Sequence, residues 1–296
     1  MKVGVVGLGS MGYGIAASLL RAGHEVYGAD LDTDAVARLQ SEGASDREVA
    51  AAVPELEALV VVVLNAAQTE AVLFGNNGLG PRLSKGAVVV CCVTVAPDFA
   101  RDMAARCDAL GLPYLDAPIS GGSVKAAQGK LAVMASGTPE AFRTARPLLD
   151  AIAQTVFELG DNAGAGSAMK AVNQMLAGTH IAAMAEAITF GMTQGISPET
   201  FQKVIPQCAG TSWMLENRAP HVVAGDYTSH SAVDIWPKDL GIVLDAARAA
   251  RFSAPLTAVA LQQFVAASGM GFGHEDDAAV AKVYARNARL ALPEKG

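Results

Sequence analysis

From the first residues to about Leu159, short β-branched runs recur between Ala-rich stretches whose apolar residues fall at helical spacing. That alternation is the pattern of βαβ units wound around a parallel sheet. It predicts strands at Val3–Val6, Val26–Ala29, Leu59–Leu64, Ala87–Cys91, Tyr114–Asp116, Leu131–Ala135 and Thr155–Glu158. Several of these are apolar at consecutive rather than alternate positions, as expected when helices cover both faces of a sheet. An α/β, doubly wound fold follows for this part of the chain.

After Gly160 the strand-like runs stop and helical periodicity holds from Asn162 to about Gln194 without a proline. At 1.5 Å per residue such a helix spans about 50 Å, longer than a small domain, so it is expected to form the spine between two domains. The remainder also reads as helical. Pro198, Pro206, Pro220, Pro237 and Pro255 punctuate it, each expected near a helix start or end. The expected organisation is an α/β domain over 1–161 and an all-α domain over 162–296, a division that suits a chain of 296 residues.

Composition narrows the classes of function. Apolar residues make up 51% and charged residues 17%, a balance that marks a globular chain. The net charge of −7 and the lack of a Lys/Arg cluster argue against nucleic acid, which needs a concentrated basic face. A small anionic substrate stays open, because one local cation suffices to hold it. The longest purely aliphatic run, Leu59–Leu64, is far short of the roughly 20 residues that cross a bilayer, so no membrane span is expected. The chain enters a strand pattern directly after Met1, which leaves no room for a targeting peptide and points to the cytoplasm. Cys91 and Cys92 are adjacent while Cys107 and Cys208 stand alone, so neither a CxxC pair nor a zinc spacing is present. No metal site is expected, and all four thiols are expected to be buried as small apolar groups.

Three motifs carry chemistry. The strand Val3–Val6 runs into Gly7-Leu8-Gly9-Ser10-Met11-Gly12 and then an apolar helix, which is the required setting for a GxGxxG dinucleotide fingerprint. Gly7 permits a tight turn, Gly9 lets the backbone approach a pyrophosphate, and Gly12 allows close helix–strand packing. Asp30, at the end of the second strand, is placed to accept the adenosine ribose hydroxyls. With Asp32 and Asp34 behind it and no cation before Arg38, a 2′-phosphate would meet like charge, so NAD is expected over NADP. Asp32 or Asp34 is the natural turn or helix-cap residue.

The second motif is Asp116-Ala117-Pro118-Ile119-Ser120-Gly121-Gly122, a strand end followed by a hydroxyl and two glycines whose backbone N–H groups can close round a carboxylate. The third is Gly164-Ala165-Gly166-Ser167-Ala168-Met169-Lys170-Ala171-Val172-Asn173 at the head of the long helix. Lys170 and Asn173 are three apart and share a face. A lysine among Ala, Met and Val on a buried helix is costly without a task or partner. Desolvation would make it a proton donor and acceptor near neutral pH, with Asn173 and Ser120 orienting the substrate. Trp236-Pro237-Lys238-Asp239-Leu240 adds a further polar point, which on its own reads as a surface salt bridge.

In their order and approximate spacing these motifs resemble the β-hydroxyacid dehydrogenases, over nearly the whole chain. The resemblance rests on GLGSMG with Gly23-His24 and Asp30, on DAPISGG, on GAGSAMKAVNQ and on WPKDL. It implies a Rossmann NAD-binding domain, an all-α domain and a long interdomain helix. It further implies that Lys170 is the catalytic acid/base, that Ser120, Gly121, Gly122 and Asn173 hold the substrate, and that Lys238 closes over the cofactor. Thr94 matches a Ser/Thr on the nicotinamide side. Leu64 and Asn65 resemble the segment lining the cofactor, although Asn65 stands where the family usually has proline.

Within the family, the segments around Trp213-Met214-Leu215-Glu216-Asn217, His230-Ser231 and Gly273-His274-Glu275-Asp276-Asp277 are similar to the branch that oxidises L-threonate at C2. Trp213, Asn217, His230 and Ser231 would then meet the extra hydroxyls, their alternative roles being packing and capping. The alternatives are a 3-hydroxyisobutyrate dehydrogenase, a tartronate semialdehyde reductase, and a non-catalytic dinucleotide-binding reader of the kind that has lost the lysine. An apolar helical half around a long helix is expected to make a homodimer or homotetramer.

Overall fold

The computed structural model describes residues 1–295. They fall into two compact units, Met1–Lys170 and the chain from Ala171 onward.

The first unit is built on a sheet with strands β1 (Lys2–Val6), β2 (Glu25–Ala29), β3 (Ala58–Val61), β4 (Val88–Cys91), β5 (Tyr114–Asp116), β6 (Ile119–Ser120), β7 (Leu131–Gly137) and β8 (Ala153–Glu158). Their spatial order is β2-β1-β3-β4-β5-β7-β6, with β8 also pairing to β7. Strands β1 to β5 are parallel, whereas β7 runs antiparallel to β5 and β6. The sheet is therefore mixed rather than wholly parallel. Ala58-Leu59-Val60-Val61 and Val88-Val89-Val90-Cys91 are buried at every position. They feed two separate apolar clusters, one around Val5, Ile15 and Leu115 and one around Val61, Leu73 and Met103. Helices on both faces explain the uninterrupted apolar runs.

The third strand ends at Val61 rather than Leu64, because Leu64 is 54% exposed and Asn65 already caps the next helix, Ala66–Phe74. The two-residue strand β6 was not predicted, being too short to show a period.

The long helix runs from Ala165 to Thr193, 29 residues. In the second unit its buried face meets a core that includes Ile181, Met184, Leu215, Trp236 and Phe264, with the Trp236 and Phe264 rings stacked at 5.4 Å. Pro198 and Pro255 begin helices as expected. Pro220 lies inside the helix Trp213–Ala224, four residues before its last residue, and the helix stops at Gly225. There φ is +61°, and a side chain would collide with the backbone of Pro293 and Glu294. Cys91, Cys92 and Cys107 are buried, but Cys208 is exposed, because it follows a short surface turn of helix at Ile205–Gln207. Among the described residues no helix is long and apolar enough to cross a membrane.

Candidate active site

Parallel strands bring their carboxyl ends to one edge, and in open α/β sheets ligands bind there. Four predicted cofactor segments follow these ends: the Gly7–Gly12 loop after β1, Asp30 after β2, Leu64 and Asn65 after β3, and Thr94 after β4. The chain folds so because each strand end must turn into a helix covering a face.

The glycine loop has the features its spacing predicts. Gly7 sits at φ +96°, and a Cβ there would lie 2.5 Å from the Val62 carbonyl oxygen. A Cβ at Gly12 would overlap the Gly7 carbonyl, so helix and strand approach as closely as glycine permits. At Gly9, by contrast, a Cβ would meet nothing within 4 Å. That open side is where a pyrophosphate can come up to the backbone. The following helix, Gly12–Arg21, has no side-chain cap from Met11, and its positive end lies at the glycine loop. Asp30 accepts hydrogen bonds from the Leu8 amide on Oδ2 and, at 2.9 Å, from the Asp32 amide on Oδ1. It is thereby locked to the loop, whereas Asp32 is the cap of the helix Thr33–Ser41. These residues fit NAD: an open glycine loop, a helix end and a fixed carboxylate for the ribose.

Beside this edge lies the lysine expected to transfer the proton. Lys170 is 8% exposed, and its Nζ donates to the Ile119 carbonyl oxygen at 2.8 Å. Ile119 precedes Ser120, so the lysine is held at the DAPISGG turn. Gly121 and Gly122 take φ of +137° and +77°, values that favour glycine and that turn the chain directly after Ser120.

The helix start that carries Lys170 is held by Asp116. This carboxylate, 1% exposed, accepts from the Gly164 amide (2.8 Å), the Ser167 amide (2.9 Å), the Ser167 hydroxyl (2.6 Å) and the Ser136 hydroxyl (3.2 Å). The Ser136 hydroxyl in turn accepts from the Gly166 amide at 2.9 Å. Together they satisfy the opening turn of the long helix, at the end where its dipole favours negative charge. A Cβ at Gly166 would clash with the Asp116 backbone oxygen, so glycine is needed for the helix to start this close to β5. Sequence reasoning quoted Asp116 and Ser167 within motifs without giving them a task, and Ser136 offered no signal at all.

The second unit holds the other predicted residues. Asn173 donates from Nδ2 to Gln174 Oε1 at 2.9 Å, and Gln174 Nε2 donates to Asp239 Oδ2 at 2.5 Å. Lys238 Nζ lies 2.5 Å from the other oxygen, Asp239 Oδ1. Because Asp239 is 3% exposed, the pair is a buried-carboxylate contact and not the surface salt bridge that its sequence suggests. Trp213 opens the helix Trp213–Ala224, which Ser212 caps, and is 54% exposed. Asn217 accepts from Arg218. His230 is exposed. Its amide donates to Asp276 Oδ2 at 3.1 Å, and its ring is tilted against His221 at 5.5 Å. The Ser231 carbonyl accepts from the Asp277 amide at 2.8 Å. Asn173 and Lys238 are thus linked through Gln174 and Asp239, while Trp213 and His230 are carried by other elements of the unit.

An NAD-accepting strand edge with a buried lysine held beside a Ser-Gly-Gly turn defines a dinucleotide-dependent oxidoreductase. Residues 2–160 match the family described as the NAD binding domain of 6-phosphogluconate dehydrogenase, and residues 164–284 match the NAD-binding of NADP-dependent 3-hydroxyisobutyrate dehydrogenase. The chain belongs to the β-hydroxyacid dehydrogenase family, and NAD is its cofactor. It is 48% identical to the L-threonate dehydrogenase of Cupriavidus necator over 287 residues, 96% of either chain. It is likewise 48% identical to the L-threonate dehydrogenase of Escherichia coli strain K12 over 285 residues, 95% of this chain and 94% of that one. A crystal structure from Salmonella typhimurium, described as 3-hydroxyisobutyrate dehydrogenase, superimposes with a TM-score of 0.91 at 48% identity, covering 96% of this chain and 99% of that one.

Proposed function

We propose that the chain oxidises the C2 hydroxyl of L-threonate, or of a closely similar tetronate, to 2-oxotetronate (2-dehydro-L-erythronate). The observation that carries the reading is the burial of Lys170 against the Ile119 carbonyl, at the turn that holds Ser120, Gly121 and Gly122. NAD, when bound, supplies the hydride acceptor. Lys170, as the free amine, takes the hydroxyl proton as the carbonyl forms, and returns it in the reverse direction. The Ser120 hydroxyl and the amides of Gly121 and Gly122 hold the substrate carboxylate, the residues Asn173, Trp213 and His230 meet its hydroxyls, and Leu64, Asn65, Thr94 and Lys238 contact the cofactor. Two domains bounded near residues 161 and 162 belong to the same proposal.

The choice of substrate is supported by the 48% identity to the two L-threonate dehydrogenases over nearly the whole length. The Salmonella structure, equally similar but described as 3-hydroxyisobutyrate dehydrogenase, favours a second reading with that substrate. Initial rates on L-threonate, 3-hydroxyisobutyrate and, in reverse, tartronate semialdehyde, each with both nicotinamide cofactors, test the choice. The expected result is fastest NADH formation from L-threonate. A higher kcat/KM on 3-hydroxyisobutyrate would replace this reading with the second. No turnover on any hydroxy acid would leave only a dinucleotide-binding protein.

A homodimer or homotetramer in the cytoplasm completes the proposal. Val172, Leu176 and Phe190 are each more than half exposed along one side of the long helix, a stripe suited to burial against a second copy. The free thiols of Cys91, Cys92, Cys107 and Cys208 suit a reducing compartment. Sedimentation velocity of the purified protein tests the assembly.

A further inference from the structure

The chain of contacts from Asp239 to Asn173 has a direction set by chemistry. A carboxylate only accepts hydrogen bonds, whereas a carboxamide donates from nitrogen and accepts at oxygen. Asp239 Oδ2 therefore obliges Gln174 to turn its NH2 group inward, at 2.5 Å, which leaves Gln174 Oε1 to accept. Asn173 must then supply its own NH2 group to that oxygen, at 2.9 Å. Its carbonyl oxygen, Oδ1, is the end left over. The Lys238 ammonium, 2.5 Å from Asp239 Oδ1, occupies the other side of the carboxylate.

The contact is built into the helix packing. Gln174 and Gly178 lie one turn apart on the long helix, and Asp239 lies on the helix Ile235–Ala249. A Cβ at Gly178 would stand 2.9 Å from both the Leu240 and Trp236 side chains, so the two helices pack closer than any residue with a side chain would permit. Gln174 is 7% and Asp239 3% exposed, and neither polar end can exchange its partner for water without opening that contact.

We infer that Asp239 acts through Gln174 to fix the orientation of the Asn173 amide, so that Asn173 presents a hydrogen-bond acceptor, and hence selects a substrate hydroxyl rather than a carboxylate oxygen. The inference rests on the reading of Asn173 as a substrate contact given above. Asp239 and Gln174 are on this view positioning residues. An amide free to flip would offer its NH2 group part of the time and weaken the grip on a hydroxyl donor. A site built to pair a hydroxyl loses most against analogues that lack it.

The test uses Gln174→Met, which keeps length and leaves the Asp239–Lys238 contact in place, and Asp239→Asn, which keeps shape but allows both amide orientations. Each should raise KM for the hydroxy acid about tenfold, the worth of one well-placed hydrogen bond. The Gln174→Met variant should leave KM for NAD and kcat within about twofold, well inside that effect. In an Asn173→Ala background, adding Gln174→Met should change KM by less than about twofold, because the oriented group is already gone. An unchanged KM in Gln174→Met, or the full rise persisting in the Asn173→Ala background, overturns the inference. Side-chain amide NMR on the ligand-free protein gives a readout independent of substrate. Asp239→Asn should move the NH2 signals of both Gln174 and Asn173, and movement of Gln174 alone also overturns the relay. Absence of turnover in the wild type, with both signals moving, would instead count against the proposed function.

Discussion

Asp116 and Ser167 are joined twice, by the Ser167 backbone amide at 2.9 Å and by its hydroxyl at 2.6 Å, so a strand end and a helix start share one carboxylate. Lys170 lies three residues further along that helix. The position of this lysine is thus set by a cap and not by contacts of its own side chain alone.

Removing that cap should cost both stability and catalysis. Asp116→Ala strands the Gly164 and Ser167 amides and both serine hydroxyls in a buried place, with an expected loss of about 2–4 kcal/mol. Denaturant unfolding followed by circular dichroism measures it. A loss below about 1 kcal/mol, the size of an ordinary exposed cap, would mean that another group closes the helix.

Lys170 itself should be dispensable for folding and necessary for turnover. Lys170→Ala is expected to lower kcat by at least about 100-fold, the usual worth of general acid–base catalysis. Lys170→Arg restores the charge but carries a guanidinium that does not deprotonate, so it should fail as a base to a similar degree. Single-turnover kinetics at saturating NAD separate this from weaker binding. Retention of more than about a tenth of the rate by the alanine variant would assign proton transfer to another group.

The carboxylate of Asp30 is expected to decide between the two nicotinamide cofactors. Its oxygens are anchored by the Leu8 and Asp32 amides, their remaining lone pairs are expected to accept from the two ribose hydroxyls, and a 2′-phosphate would meet like charge there. Asp30→Ala should lower kcat/KM for NAD by at least about tenfold through the lost charged hydrogen bonds. The preference over NADP should narrow further, because the repulsion of a 2′-phosphate goes as well. If the ratio between the cofactors is unchanged, discrimination resides elsewhere in the loop.

Much of the first unit was legible because its signals are local. Val3–Val6 followed by GLGSMG names a strand, a turn and a helix in one stretch, and the structure forms Lys2–Val6, the loop and Gly12–Arg21 there. The long helix, predicted from Asn162 to Gln194, forms from Ala165 to Thr193, because uninterrupted helical spacing needs no partner to be recognised. What sequence could not show are pairings made at a distance. Asp116 lies 51 residues from Ser167, and Gln174 lies 65 from Asp239. Each reads as an ordinary polar residue until the fold supplies its partner. The reversal of β7 is of the same kind, since an apolar run has no direction. Cys208 departs from expectation for a different reason: burial of cysteine is a tendency of composition, and a short connection between helices overrides it.

The four thiols should therefore divide by position. Burial pushes the Cys91 thiol up to about 11 and the Cys107 thiol up to about 12, and raises Cys92 further still. A thiol with a raised pKa holds almost no thiolate at pH 8, and the thiolate is the reactive form. One equivalent of Ellman's reagent is expected to react with the native protein, at Cys208, and four in guanidinium. A second fast thiol in the native protein would show that the sheet opens locally far more often than its packing implies.

Acid should weaken the second unit at Asp276. This side chain, 0% exposed, accepts from the His230 amide at 3.1 Å, lies 2.8 Å from His221 Nδ1, and faces Arg218 with Asp277 beside it. Burial alone would raise its pKa. The hydrogen bond to His221, the Arg218 charge and the His230 amide outweigh burial and hold the carboxyl below its ordinary value of 3.8. A carboxyl with a depressed pKa in the fold binds its proton more weakly there than in the unfolded chain. Its contribution is consequently complete above pH 3.8 and is lost as pH falls from there through the lower folded value. Asp276→Asn removes that contribution at every pH. The variant should be less stable than wild type at pH 7 by about 1–3 kcal/mol, and the gap should close as pH falls below the ordinary aspartate value. Melting curves of both proteins between pH 3 and pH 8 test this, and a gap of constant size over that range would assign Asp276 a role in shape and none in charge.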